Sequence, residues 1–198
     1  MDDRPELASA DPLRLFDRWF NEASTTELND PNAAALATAS ADGEPTVRMV
    51  LVKMVGENRF CFFSNEESRK GSQLLQNPRA ALCFHWKALR RQVRVEGGVV
   101  SLPVAEVAAY YHTRSRSSQI SAAISEQSRT LSSRAELEEK VRLFASAHPG
   151  EIPLPKFWRG YCIEPLRIEF WIDGAHRLHD RFLFTRDGGA WSQTRLYP

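Results

Sequence analysis

The chain has 198 residues, 42% of them hydrophobic, with 26 basic and 25 acidic side chains and a net charge of +1. That length predicts one domain with a real core. The charge balance excludes a general nucleic-acid binder, which carries a strong basic excess.

Met1 to Ala10 is polar without an apolar signal-like stretch, and no apolar run reaches the length of a membrane span. We therefore expect a flexible segment over 1–10, a single domain over 11–198, a cytoplasmic location and no membrane partner. Cys61, Cys83 and Cys162 are odd in number and widely spaced. They read as buried free thiols.

Asp11-Pro12 is a helix start, an N-cap acid before proline at the first helical position. Leu13, Phe16, Trp19, Phe20 and Ala23 continue at three-to-four spacing, predicting a helix from Pro12 to Leu28. Strands are predicted over Ala33 to Ser40, Thr46 to Met54 and Arg59 to Ser64, with Asp42-Gly43 as a hairpin-type turn. A short helix from Ser68 to Gln76 stops at Asn77-Pro78. Two more strands run from Ala80 to Trp86 and Arg91 to Ser101. Pro103 opens a helix to His112, and a polar helical region follows to Ser125. Ser133-x-x-Glu136 is a capping box leading a helix to Ala147. The proline-rich segment His148 to Lys156 reads as a loop. Strands over Gly160 to Trp171, Arg181 to Thr185 and Ala190 to Leu196 close the chain. The sum is mainly β with inserted helices, an α+β chain whose strand spacing suggests a barrel. No Gly-x-Gly-x-x-Gly follows a strand, which argues against a Rossmann dinucleotide site.

Several groups of residues could carry chemistry. In Arg48-Met49-Val50-Leu51-Val52-Lys53, a regular strand puts Arg48 and Lys53 on opposite faces unless a bulge intervenes. Ser64-Asn65 and Ser68-Arg69-Lys70 form a strand-to-helix junction, where free N–H groups favour an anion. Basic residues in a first helical turn oppose the helix dipole, and a phosphate would offset that. Gln92 and Gln127-Ser128 offer polar groups that both donate and accept. Tyr110, Arg114 and Ser118 are spaced i, i+4, i+8, so on a continuous helix they would share one face and could form a phosphate clamp. Read alone, each group also fits a solvated surface. Finally, Ile168-Glu169-Phe170-Trp171 reads as a strand, with Gly174 as a turn. If Arg177 to Phe184 is the returning strand, Arg177, His179 and Arg181 share one face, opposite Leu178 and Phe182. Two guanidiniums and an imidazole side by side repel one another unless an anion or electron-rich ring lies over them. The five histidines show no metal-ligand spacing, so no metal is expected.

This last motif resembles the C-terminal signature of pyridoxamine 5'-phosphate oxidases, and the likeness runs from Asp11 to Pro198. The resemblance implies a split β-barrel homodimer with FMN at the subunit interface. It implies oxidation of pyridoxine 5'-phosphate and pyridoxamine 5'-phosphate by O2 to pyridoxal 5'-phosphate. It assigns flavin contacts to Arg48, Met49, Val50, Leu51, Val52, Lys53, Phe63, Ser64, Arg69, Lys70, Gln92, Gln127, Ser128, Trp171 and Arg181. Lys53, Tyr110, Arg114 and Ser118 would hold the substrate phosphate. Arg177, Leu178 and His179 would meet the substrate ring, with Arg177 and His179 beside the reacting substituents. Two departures stand out. Phe63-Ser64 replaces the Tyr-Thr of some relatives and keeps the hydroxyl, and Ile172 stands where relatives more often carry a polar residue. The rival readings are a flavin oxidase of the phenazine-biosynthesis type and a non-catalytic flavin- or haem-binding split barrel.

Overall fold

The computed structural model describes residues 11–54 and 60–198. The expected flexible segment 1–10 and Arg59, the first residue of the predicted third strand, lie outside the described residues. Helix α1 spans Pro12–Thr26, capped by Asp11, whose side chain accepts from Leu13 N–H at 2.9 Å. It ends two residues before the predicted Leu28. The Thr25 and Thr26 hydroxyls donate to the Glu22 carbonyl, a local alternative to helical hydrogen bonding that loosens the last turn.

Among the described residues, nine strands form one sheet with antiparallel pairing throughout. They are β1 Ala33–Ala39, β2 Pro45–Leu51, β3 Lys53–Met54, β4 Phe60–Asn65, β5 Arg79–Trp86, β6 Arg91–Ser101, β7 Trp158–Ile172, β8 Asp180–Asp187 and β9 Ala190–Arg195. The order is β2-β1-β5-β6-β7-β4-β3, with β8 also on β7 and β9 on β8. Strand β7 makes this branching possible. One edge pairs with β6 along its length, while the other is shared, Trp158–Ile163 pairing with β4 and Arg167–Ile172 with β8. A bulge between Glu96 and Gly97 lies opposite the changeover at Pro165. The result is the mainly β split barrel with inserted helices. The helices are α2 Arg69–Gln76, α3 Val104–Thr113, α4 Arg116–Ile124 and α5 Arg134–Ala147.

Alternation decides the two sheet faces. Leu36, Leu82, Phe84, Val93, Val95, Ile168, Phe170 and Phe184 turn inward, and α1 closes that side with Phe16 and Trp19. The Phe16 ring lies 4.8 Å from Phe60 and 5.1 Å from Phe84, while Trp19 meets Phe170 edge-on at 5.0 Å. A second core lies under α3 and α4, with Val107, Tyr111, Ile120, Ile152 and Trp158. The outer face of β2 exposes Val47, Met49 and Leu51, which pair with Ala37, Ala35 and Ala33 of β1.

Two expectations are corrected here. The predicted strand from Thr46 to Met54 is interrupted at Val52, whose buried backbone pairs with Asn32 instead of a strand partner. Cys61 and Cys162 are not free thiols. The β4–β7 register sets them directly opposite each other, 101 residues apart in sequence, and they form a disulfide. Cys83 is free and half-buried.

Phe16 connects α1 to β4 and β5, so Phe16→Ala should cost about 3–5 kcal/mol by transfer and cavity terms. Urea denaturation followed by circular dichroism checks this, and an unchanged midpoint contradicts the packing described.

Candidate functional site

A cleft of about 900 Å³ opens where β2, the end of β4, the start of α2 and the α3–α4 junction converge. It gathers Arg48, Met49, Val50 and Leu51 with Phe63, Ser64, Arg69, Lys70, Tyr110, Arg114, Ser118, Gln127 and Ser128. Most of the expected positions thus come together from segments up to 80 residues apart in this one chain.

The floor of the cleft is cationic. Ser68 caps α2 by accepting from Gly71 N–H. Lys70 in its first turn is buried and donates to Ser64 Oγ at 3.0 Å, Ser68 Oγ at 3.2 Å and Gln127 Oε1 at 2.5 Å. Each of these acceptors is neutral, so the ammonium is hydrogen-bonded but its charge is not cancelled. Burial, and then the Arg48 charge, push the Lys70 pKa down to about 8. Arg48 donates to Thr38 Oγ1 at 2.6 Å, to the Leu36 carbonyl at 3.1 Å and to Thr46, and both threonines bond Gln73 of α2. Its pKa is also lowered, first by burial and then by Arg69. The Arg69 N–H donates to Ser128 Oγ at 3.2 Å, and its side chain reaches Glu44. Gln127 and Ser128 therefore join this cradle within one chain.

The opposite wall is not one continuous helix. Alpha-helix α3 ends at Thr113, and α4 begins at Arg116. The Ser115 side chain accepts from Ser118 N–H and caps the new helix, which stops the old one. Tyr111 OH donates to the Gln119 carbonyl, and Gln119 Nε2 donates to the Arg114 carbonyl at 2.8 Å, pinning the corner. Tyr110, Arg114 and Ser118 still face one cleft, but by way of a turn. Tyr110 stacks on Phe63 with ring centroids 4.0 Å apart, and Arg114 lies over Trp158 at 5.1 Å. Among the described residues, Arg114 Nη1 is one of two buried side-chain atoms with no hydrogen-bond partner. An anion in the cleft would supply that partner.

Lys53 does not line the cleft. It pairs with Cys61 and so shares the face of Phe63, at the margin. Val52 is buried in the core and does not line the cleft. Gln92, Trp171 and Arg181 also lie elsewhere, on one rung of the sheet: Gln92 opposes Trp171, and Trp171 opposes Arg181. Three strand spacings, about 14 Å, separate β2 from β6.

The hairpin after Trp171 also corrects an expectation. Arg177 and Leu178 are not in a strand: β8 starts at Asp180, and a 3₁₀ turn spans Ala175–Arg177. His176 and Arg177 have φ of 57° and 66°, in the left-handed region. Arg177, His179 and Arg181 therefore do not alternate along one strand face. Gly174 is required by contact, because a Cβ there would lie 2.0 Å from the Leu178 carbonyl oxygen. Arg177 and Leu178 are exposed. His179 packs on the Trp171 ring at 4.6 Å, and its Nδ1 lies 3.1 Å from both Asp173 Oδ1 and Gly174 N.

Sequence reasoning missed Trp158, which supports Arg114, and the small polar face Ser117, Ser121 and Ser125 that walls the cleft. The four-residue serine spacing was the available signal for the latter.

Comparisons with known proteins bear on the family and the fold. A family profile described as pyridoxamine 5'-phosphate oxidase matches residues 20–146, and one described as pyridoxine 5'-phosphate oxidase C-terminal dimerisation region matches 158–198. A pyridoxine/pyridoxamine 5'-phosphate oxidase of Rhodospirillum rubrum is 52% identical, covering 97% of this chain and 98% of that protein. Its counterpart in Gluconobacter oxydans is 51% identical, covering 96% and 95%. Among solved structures, PhzG from Burkholderia lata in complex with tetrahydrophenazine-1-carboxylic acid superposes with a TM-score of 0.92 at 30% identity, covering 98% and 96%. An FMN-binding protein of Nostoc punctiforme shares the fold, with a TM-score of 0.79 at 18% identity, covering 96% and 100%.

Lys70 gives a signed prediction. Its folded pKa of about 8 lies below the 10.5 of a free lysine, so the unfolded chain binds the proton more tightly. The resulting destabilisation is full below the folded pKa and fades as pH rises towards 10.5. In ligand-free protein, Lys70→Met should therefore raise the urea midpoint at neutral pH, and the gap to wild type should close in alkali. The same change should weaken binding of a phosphate ligand by about tenfold, measured by titration calorimetry.

Proposed function

Since the chain belongs to the pyridoxamine 5'-phosphate oxidase family, we propose that it binds FMN and oxidises pyridoxine 5'-phosphate and pyridoxamine 5'-phosphate with dioxygen. The products are pyridoxal 5'-phosphate and hydrogen peroxide, with ammonia released from the amine. The observation that carries this reading is that one cleft holds two separate sets of phosphate-binding groups. Arg48, Arg69, Lys70, Ser64 and Ser128 form one, and Tyr110, Arg114 and Ser118 form the other.

The residues present fit FMN. The neutral acceptors around Lys70 leave its charge free for a phosphate, and the α2 N-terminus adds dipole and N–H groups. Bound FMN would supply the redox chemistry, taking a hydride equivalent from the substrate C4' carbon and passing electrons to dioxygen. The protein's part is placement. Arg114, with its unpartnered Nη1, takes the substrate phosphate together with Tyr110 and Ser118, and Lys53 reaches in from the margin. That anchor fixes the substrate ring and supplies much of the rate by orientation. Arg177 and His179 act on the ring and its reacting substituents, with His179 held by Asp173 and Trp171.

Gln92, Trp171, Arg181, Arg177 and His179 lie outside the cleft, which supports a homodimer in which one protomer's hairpin completes the other's cleft. The apolar Val47, Met49 and Leu51 beside the alanines of β1 offer a surface for that contact. The domain profile over 158–198 is named for dimerisation. We assign the working protein to the cytoplasm, a reducing compartment that would act to open the Cys61–Cys162 disulfide. The phenazine-type reading rests on the likeness to PhzG, whose bound ligand is a carboxylic acid. The second phosphate set favours the phosphorylated vitamin.

The test is direct. The purified protein should show flavin absorbance, and pyridoxine 5'-phosphate under air should yield peroxide and an aldehyde product. A yellow protein forming neither rejects the reading. Arg177→Ala should lower kcat by about a hundredfold with little change in FMN affinity, read by steady-state kinetics and flavin fluorescence. Wild-type turnover in that variant removes Arg177 from its role.

A further inference from the structure

Glu169 lies in the middle of β7, only 3% exposed, and neither half of the proposed site uses it. A buried carboxylate is costly unless paired. Here it is paired twice. Arg181 forks onto it, Nε to Oε1 at 2.8 Å and Nη2 to Oε2 at 3.1 Å, and Arg94 Nη2 also donates to Oε2. The remaining arm of Arg181 donates to the Tyr197 carbonyl at 2.9 Å, so that guanidinium is held at three atoms.

The register fixes where this cluster acts. Arg94 directly opposes Glu169, one same-face rung from Gln92 opposite Trp171, with Arg181 beyond Trp171. One arginine would neutralise Glu169; two leave a surplus positive charge. Its described strand neighbours do not cancel it: Cys83 opposes Arg94, Leu183 opposes Glu169, and Glu96 on the next rung is taken by Arg167. Arg94 Nε is the other buried side-chain atom without a hydrogen-bond partner among the described residues.

Resting on the functional reading above, we propose that Arg94 and Glu169 are positioning residues. They fix the Arg181 guanidinium and hold one net positive charge beside the flavin-contact rung formed by Gln92, Trp171 and Arg181. Reduction of a bound flavin by two electrons and one proton adds one negative charge to it. A fixed positive charge favours that form, so the cluster tunes the cofactor's midpoint potential.

The charge count sets opposite signs for two variants. R94Q removes the surplus and should shift the midpoint potential of bound FMN downward, while R94K should restore it. E169Q increases the surplus and should shift the potential upward, while weakening FMN binding about tenfold as the fork on Arg181 loosens. Dye-equilibrated reductive titration reads the potential, and fluorescence titration of the apoprotein reads the affinity. A purely structural cluster would not move the potential in opposite directions. Unmoved potentials, or shifts of one sign in R94Q and E169Q, overturn the proposal. If circular dichroism shows E169Q unfolded, R94Q against R94K decides: a drop restored by lysine supports the proposal, and no drop overturns it. A wild-type protein that binds no FMN overturns the functional reading and this inference together; flavin binding with unmoved variants overturns this inference alone.

Discussion

Everything in this fold that bears on function hangs from the shared edge of β7. Its first half pairs with β4 and so places Phe63 and Ser64 at the cleft, while Trp158 at its start carries Arg114. Its second half pairs with β8 and so places Glu169, Trp171 and Arg181. A strand of ordinary length could serve only one of these neighbours. Fifteen residues serve both, and the bulge opposite Pro165 lets the direction change without breaking the β6 ladder.

The cationic groups follow a consistent physical logic. Burial penalises the charge of Lys70, whose protein partners are all neutral, and Arg114 keeps one guanidinium nitrogen without a hydrogen-bond partner. Such donors need no rearrangement when an anion arrives, and their field is strong because water is largely displaced. The stability forgone in the empty protein is recovered on binding. Glu169 shows the converse arrangement, a buried anion oversupplied with cations. Both devices keep positive charge ready without letting it be neutralised locally.

Local signals made much of this legible. Asp11-Pro12 and Ser133 act within one helical turn, and both N-caps form, although the Glu136 carboxylate meets Ser132 and Lys140 rather than closing the box. Strand β6 runs over the predicted Arg91–Ser101 because its alternation is strong. The residues that line the cleft were nameable because serine, lysine and arginine at a helix start carry a mechanism. What failed depended on pairing at a distance. Nothing near Cys61 announces Cys162, and nothing near Val52 shows that Asn32 will claim its backbone. The corner at Arg114 was different. Ser115 is a capping residue in plain view, and the four-residue periodicity masked it. The hairpin reading assumed extended backbone where His176 and Arg177 turn left-handed.

That turn has a consequence for what mutation and recombination can do to it. Surface loops usually absorb extra residues at small cost. The segment from Asp173 to His179 has no slack to absorb them, because Gly174 has no room for a Cβ against the Leu178 carbonyl and the imidazole at the segment's end contacts Asp173 and Gly174 at its start. It works as a gauge of fixed length. One added or deleted residue would detach His179 from the Trp171 ring and offset the entry of β8, so this loop should keep its count across relatives.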